Sequence, residues 1–472
     1  MAATEKAAIV DVVVLGMGPG GESVAGELAA AGLKVVGVES RLVGGECPYY
    51  GCVPTKMMVR AGNAVAEGLR IPGLAGQAQV SADFSVVAKR IRSEATDNWD
   101  DAVAAKRFTD KGGQLVRGTG RLTGPREVTV SLPDGGERTF RALLAVVLNP
   151  GTNPAVPPVP SLSGTPYWTN REAVQATEAP ASLVIWGAGP IAVELAQAFA
   201  RFGSKVTVVA RGPALLSREE PETAKLLSEV FHSEGIKILH NAAITAVRHS
   251  AAVFRIDVTD SAGKARRLRA EKFLVATGRT LALAPLNLAD AGIEWDGKAP
   301  PAVDAHMQLA EGLYLIGDAA GAGAFTHMSM YQANIVAGRI LAKHAKQPDR
   351  GPVESHAVPR VTFTDPEIGA VGLSEKQARE AGLTIRVGYT KVGASTRGWI
   401  HKSGNQGFIK VIEDTTTGVL VGATSMGPHG GEVLSALVLA VHARIPVATL
   451  KTMIYAYPTF HRAIAQALAA LE

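Results

Sequence analysis

Cys47 and Cys52 are the only cysteines in a chain of 472 residues, and four residues separate them. Two ligands cannot close a structural zinc site, which normally takes four. Secreted disulfide scaffolds use many more cysteines in much shorter chains. The spacing favours a redox pair over two inert buried thiols. Cys52 leads into a helical pattern over Thr55–Gly68, and Lys56 lies four positions on. A thiol at a helix start gains from the helix dipole, and a nearby lysine lowers its pKa further, which favours the thiolate. Tyr49 and Tyr50, between the cysteines, offer either packing or aromatic surface beside a substrate.

Two glycine turns could serve such a pair. Asp11–Leu15 reads as a strand, followed by Gly16, Gly18 and Gly21, a helix over Glu22–Ala31 and a second strand over Lys34–Glu39. That order opens a dinucleotide-binding unit. Gly16 makes the turn, Gly18 lets a pyrophosphate approach, Gly21 lets the helix pack, and Glu39 accepts from ribose hydroxyls. The pattern recurs. Leu183–Trp186 is a strand, Gly187, Gly189 and Ala192 form the turn, Val193–Arg201 is a helix and Lys205–Ala210 a strand. Here Ala210 and Arg211 replace the carboxylate, so charge favours NADPH over NADH, unless Arg211 is only a solvated cation. Arg218 is a second candidate phosphate contact. FAD at the first turn and diffusible NADPH at the second is the economical arrangement.

The remaining chain must position these groups. Phe84–Phe108 reads as helical, and short strands then lead to Leu143–Leu148. A Pro-rich joint spans Asn153–Pro160, and Phe273–Gly278 and Gly312–Asp318 are strands running into turns. Beyond about Pro352 come strands (Arg360–Phe363, Phe408–Ile412, Leu420–Ala423) and apolar helices (Glu432–Ala443, Phe460–Leu471), a separate α+β domain. The net charge of +5 is small for this length and includes no long basic run, which argues against nucleic acid. No apolar run is long enough to span a membrane. Met1–Val10 carries no cleavable apolar segment, so the expected location is cytoplasmic.

The ordered motifs are Gly16–Gly21, Gly44-Gly45-Glu46-Cys47 with Cys52 and Lys56, and residues 187–196, 274–279, 312–320 and 361–373. With these the chain resembles the group I pyridine nucleotide–disulfide oxidoreductases, the flavoprotein family of dihydrolipoamide dehydrogenase, glutathione reductase and mercuric reductase. The resemblance implies an α/β fold with two Rossmann-like domains, for FAD and NAD(P), plus a C-terminal α+β dimerisation domain. The expected boundaries are 1–155 and 279–350 for FAD, 156–278 for NAD(P) and 351–472 for a homodimer interface. It makes Cys52 the thiol that forms a charge-transfer pair with FAD and Cys47 the interchange thiol facing substrate. It places Lys56 near the flavin, paired with Glu194, which would otherwise be an ordinary helix-surface acid. Asp318 would bond the ribityl chain and Gly120 approach the adenine. Gly45 and Gly151 would also contact FAD, and Gly278 NADPH.

Three departures stand out. Glu46 replaces the usual pyrophosphate-binding threonine, and Asn149-Pro150-Gly151 replaces Ala-Thr-Gly; FAD binding is expected to survive both, through main-chain donors. The third concerns the His-Pro-Thr-x-x-Glu dyad that the family supplies to its partner subunit. It reads here Tyr457-Pro458-Thr459-Phe460-His461-Arg462. A phenol of pKa ~10 is a poor base near neutrality, and losing such acid–base help typically costs ~10²–10⁴-fold. His461 is expected to face away, and Tyr457 to act as a hydrogen-bond donor. With no third cysteine, mercuric and thioredoxin reductase types are disfavoured. The expected function is an NADPH-dependent flavoprotein acting through Cys47 and Cys52 on a small disulfide or other sulfur compound. Alternatives are direct reduction of quinones from flavin, a C–S-cleaving or dithiol-oxidising member, and a redox-sensing flavoprotein with negligible turnover.

Overall fold

The computed structural model describes residues 6–321 and 323–472; half of the Met1–Val10 reading, Met1–Glu5, lies outside them. The chain divides into two compact units, Met1–Pro54 with Arg90–Asn153 and Arg279–Ser355, and Thr55–Lys89 with Pro154–Gly278 and His356–Glu472.

The first unit is built on a sheet centred on Ala8–Leu15, paired in parallel with Val35–Glu39 on one side and Glu137–Leu148 on the other. The strand is β-branched and buried on both faces, as a central parallel strand must be. Val12 and Val14 enter one core with Val24, Leu28 and the helix Thr326–Ala345. Val13 and Leu15 enter the other, with Leu122, Val128, Val130 and Phe140 from an antiparallel meander. The strand Leu313–Leu315 joins Glu137–Leu148 in parallel and runs into a 3₁₀ turn, Gly317–Ala320.

The stretch Phe84–Phe108 is not one helix. It runs as Phe84–Arg90, a π turn over Ile91–Ala95 and a break at Asp97–Trp99, all with positive φ, before Ala102–Thr109. The Thr96 hydroxyl turns back to the Ile91 carbonyl at 3.0 Å, giving the backbone an alternative to continuing the helix. The break also sends the Trp99 indole N–H to the Tyr49 carbonyl (3.1 Å), and the Asp101 carboxylate accepts from the Val43 N–H at 2.6 Å. Both contacts tie down the loop that carries Cys47.

In the second unit, four parallel strands run in the order Lys237–Leu239, Lys205–Val209, Ser182–Trp186 and Lys272–Val275. A separate antiparallel sheet of three strands covers Ala242–Ala270. The C-terminal part is a five-stranded antiparallel sheet in the order Pro359–Thr362, Glu367–Gly372, Val419–Gly427, Phe408–Asp414 and Ile385–Lys391. Leu434, Leu437 and Val441 of the helix Gly430–His442, with Ile464 and Leu468 of Ala463–Ala469, pack into its core.

Candidate active site

The first glycine turn has the geometry its sequence requires. Gly16 sits at φ +92°, and a Cβ there would stand 2.3 Å from the Asn149 carbonyl oxygen. A Cβ on Gly21 would stand 1.9 Å from the Gly16 carbonyl oxygen, so only glycine lets the helix Pro19–Ala30 approach. That helix starts at Gly18 with no side-chain cap, leaving its first N–H groups for a ligand. Gly45, at φ +67°, would place a Cβ 2.9 Å from the Gly18 Cα, so the two backbones form a cradle that side chains would fill.

Glu39 is buried at the end of its strand, with its carboxylate accepting from the Met17 and Arg41 N–H groups, each at 2.8 Å. Burial pushes its carboxyl up, against the pull of those donors and Arg117. Asp318 accepts from the Thr152 hydroxyl (2.9 Å), which in turn accepts from Arg279 Nε. Uncapped helix start, glycine cradle, buried carboxylate and Asp318 together fit FAD.

The two departures here have structural accounts. The Asn149 amide donates to the Gly16 carbonyl (3.2 Å), and its oxygen accepts from Ser329 (3.3 Å), stapling the turn to Thr326–Ala345. Glu46 lies 3.9 Å from Arg279. Gly120 packs where a Cβ would meet Leu15 at 2.5 Å, and Gly151 sits at φ +66° with open space around it.

Cys47 is half-buried in the short helix Glu46–Tyr49, after Gly44 and Gly45, both at positive φ. Cys52 is exposed and opens the helix Cys52–Arg70, with its Sγ 3.4 Å from the Thr326 hydroxyl. Thr326, 274 positions on in the chain, carried no signal in the sequence. Tyr49 is buried and serves packing; burial, with Asp101 next, pushes its hydroxyl up to about 12. Tyr50 is half-buried.

Within the second unit, Lys56 Nζ donates to Glu194 Oε2 at 2.7 Å and lies 4.7 Å from the centre of the Phe363 ring. The other Glu194 oxygen accepts from the Phe363 N–H at 2.8 Å. Glu194 is therefore a buried, fully engaged acid rather than a helix-surface one.

At the second glycine turn, Gly187 sits at φ +140° with the Ala276 carbonyl oxygen 2.1 Å from where a Cβ would be. Around Gly189 there is open space, and the helix Pro190–Arg201 begins there without a side-chain cap. Ala192 is fully buried. The loop after Lys205–Val209 folds back, with the Leu216 N–H donating to the Ala188 carbonyl at 2.9 Å. Arg211 and Arg218 are both exposed, and no carboxylate pairs with either among the described residues. Gly278, at φ +135°, has open space around it, and its carbonyl accepts from the Ala155 N–H.

Tyr457 is 66% exposed, with its hydroxyl 3.4 Å from the Thr396 hydroxyl. Arg462 lies over its ring at 5.4 Å. His461 lines a different cavity, with Glu432, Val433, Ser435, Ala436 and Phe460. Tyr457 and Arg462 line one cavity and His461 another.

The pyridine nucleotide-disulphide oxidoreductase family matches residues 10–334, and its dimerisation domain matches residues 358–468. The chain belongs to this family, and it is an FAD-dependent enzyme that uses a nicotinamide nucleotide. Its mixed α/β fold with a C-terminal dimerisation domain is the one the sequence motifs imply. It is 31% identical to a dihydrolipoyl dehydrogenase of Thermus scotoductus, over 98% of this chain and 97% of that enzyme. It is also 31% identical to a mercuric reductase of Acidithiobacillus ferrooxidans, over 94% of this chain and 79% of that one. Among solved structures it is similar to the HOCl-induced flavoprotein disulfide reductase RclA of Escherichia coli, with TM-score 0.83, 25% identity and coverage of 98% and 100%. No helix among the described residues is long and apolar enough to cross a membrane.

Proposed function

We propose that this chain is a homodimeric, NADPH-using member of its family that reduces a small disulfide or related sulfur compound through Cys47 and Cys52. Bound FAD supplies a two-electron carrier between nicotinamide and thiols. The overall exchange is NADPH, a proton and a disulfide giving NADP⁺ and two thiols. Cys47 attacks the substrate sulfur, and Cys52 then displaces the second substrate thiol as the Cys47–Cys52 disulfide forms. The observation that carries the reading is the placement of Lys56, held by Glu194 and Phe363 four residues beyond a solvent-exposed Cys52 at a helix start.

NADPH preference is supported by the exposed guanidinium groups of Arg211 and Arg218, neither paired with a carboxylate among the described residues, at a turn with no carboxylate where a ribose would be read. Exposed apolar side chains in the C-terminal part, Trp399, Leu439, Met453 and Ile454 among them, support self-association. Tyr457 donates a hydrogen bond to substrate in the partner subunit's site, in place of a base. The loss of that base also favours a second reading, in which acceptors such as quinones bypass the cysteines.

An anaerobic titration of the holoenzyme with NADPH, and in parallel with NADH, tests this. A long-wavelength absorbance that grows with NADPH and is lost in Cys52→Ser is the expected result. Bleaching without that absorbance, with quinone reduction intact in both serine variants, selects the second reading. Faster reduction by NADH refutes the nucleotide preference.

A further inference from the structure

Arg397 and Arg462 converge on one small cavity, lined also by Ser395, Thr396, Tyr457, Thr459 and Gln466, with no Asp or Glu in its wall. Arg397 lies 5.4 Å over the Phe460 ring and Arg462 5.4 Å over the Tyr457 ring. Stacking engages the guanidinium faces rather than their N–H edges. Arg462 donates to the Tyr455 carbonyl at 3.3 Å, and neither arginine pairs with a carboxylate among the described residues. Both arginines are exposed, so they can reach a ligand from solvent, whereas the unit's half-buried arginines are committed to acids: Arg201 to Glu234 and Asp365, Arg360 to Glu219, Arg70 to Asp365. Two cations on one cavity with no acid in its wall make it attractive to a negative charge. Hydroxyls at Thr396, Thr459 and Tyr457 add neutral donors of the sort that surround a bound oxyanion.

We propose that this cavity takes an anionic group of the substrate, a carboxylate, sulfonate or phosphate, with Arg397 and Arg462 as its charge partners and Tyr457 beside it. The proposal rests on the thiol reading above, since Tyr457 is there given to the substrate. It deepens that reading by making the sulfur compound an acid. The cation at position 462 explains why no base dyad could operate here: a guanidinium cannot orient an imidazole as a carboxylate does, but it can hold an acid.

The test compares reduction of dianionic dithiobis(nitrobenzoate) with that of neutral dithiodipyridine by the holoenzyme, as wild type, Arg462→Gln and Arg397→Gln. Losing one charge-assisted pair at an exposed site should lower kcat/KM for the dianion about 10-fold in each variant and leave the neutral disulfide unchanged. Inorganic sulfate should compete with the dianion in wild type and not in Arg462→Gln, and Arg462→Lys should restore part of the loss. Equal falls for both disulfides, or none, overturn the proposal. So does loss of the dimer in both Gln variants, which assigns the arginines to subunit contact. If wild type reduces neither disulfide, the functional reading fails, and calorimetric titration with sulfate alone decides the site. Sulfate binding that vanishes in Arg462→Gln upholds it, and no binding overturns it.

Discussion

Glu194→Gln should uncouple Lys56 from its support while leaving the fold standing. The Glu194 carboxylate has two partners, Lys56 Nζ at 2.7 Å and the Phe363 N–H at 2.8 Å, one on each oxygen. The amide of glutamine has one acceptor. If its oxygen keeps the Phe363 N–H, its NH₂ group faces the Lys56 ammonium, donor against donor. Lys56 then leaves for water, which it can reach because its side chain is 34% exposed, and gives up its place over the Phe363 ring. A charge-assisted hydrogen bond is worth about 1.5–3 kcal/mol, and solvent access to the lysine head cuts the net loss to about 1–2 kcal/mol.

A double-mutant cycle with Lys56→Met, read from urea midpoints of the holoenzyme, should give a coupling of about 1 kcal/mol. The chemical effect should be larger than the thermodynamic one. Displacing a positioned group by an ångström can cost about 100-fold in rate, so NADPH oxidation in rapid mixing should fall about 10- to 100-fold in Glu194→Gln. Glu194→Asp shortens the acid without removing charge and should lie between. A coupling under about 0.3 kcal/mol, the usual scatter of independent sites, together with an unchanged rate, would refute the idea that this pair positions anything.

Arg211→Ser should lower kcat/KM for NADPH about 10-fold, the loss of one charge-assisted contact, while leaving NADH unchanged; equal falls for both nucleotides would show Arg211 to be a solvated surface charge. Lys410→Met should destabilise by about 3–5 kcal/mol in chemical denaturation, because Glu220 and Lys410 are both buried and the acid is left without its cation. Hydrogen bonds from Lys410 and then Arg379 hold Glu375 below its ordinary 4.5. The stability Glu375 adds is therefore present above that pH and lost as pH falls through its lower folded value, so the acid side of the profile should flatten in Lys410→Met. Trp99→Phe removes the donor to the Tyr49 carbonyl; it should cost about 1 kcal/mol and raise the rate at which Cys47 is alkylated, and an unchanged labelling rate would show that the indole does not brace the loop.

What was legible in the sequence follows from range. Gly16 and Gly187 were readable because each turn forces positive φ and a close approach within a short segment that contains its own strand and helix. The break near Trp99 was not readable: apolar periodicity runs through it, and the contacts that repay it lie about 50 residues away at Tyr49 and Val43. The partners of Glu194 were similarly hidden. From sequence alone its pairing with Lys56 came only through resemblance, and the Phe363 N–H, 169 positions on, came from nothing at all. Arg462 was readable as a charge reversal, but its stacking on Tyr457 needed the fold.

Glu194, Gln197 and Arg201 stand at i, i+3 and i+7, one face of the helix Pro190–Arg201, and all three are nearly inaccessible to solvent. Burying an acid, an amide and a cation on one stripe is unfavourable unless each is fully engaged. All three are engaged by the same short segment, Phe363–Asp365. Glu194 takes the Phe363 N–H. Gln197 exchanges two hydrogen bonds with the Asp365 backbone, at 2.7 and 2.8 Å, and Arg201 meets the Asp365 carboxylate at 2.8 Å. Since the Phe363 ring also covers Lys56, the helix Pro190–Arg201 reaches the lysine twice, directly through Glu194 and indirectly through a C-terminal strap. Gln197 touches the strap and not the lysine, so Gln197→Met separates positioning from contact. It leaves the Asp365 N–H unpaired at a cost of about 1–3 kcal/mol and frees the strap to shift. The NADPH oxidation rate should then fall several-fold with KM for NADPH unchanged, and Gln197→Asn should recover little because its amide is too short to bridge. A fall in stability with no change in rate would mean that the strap is packing alone.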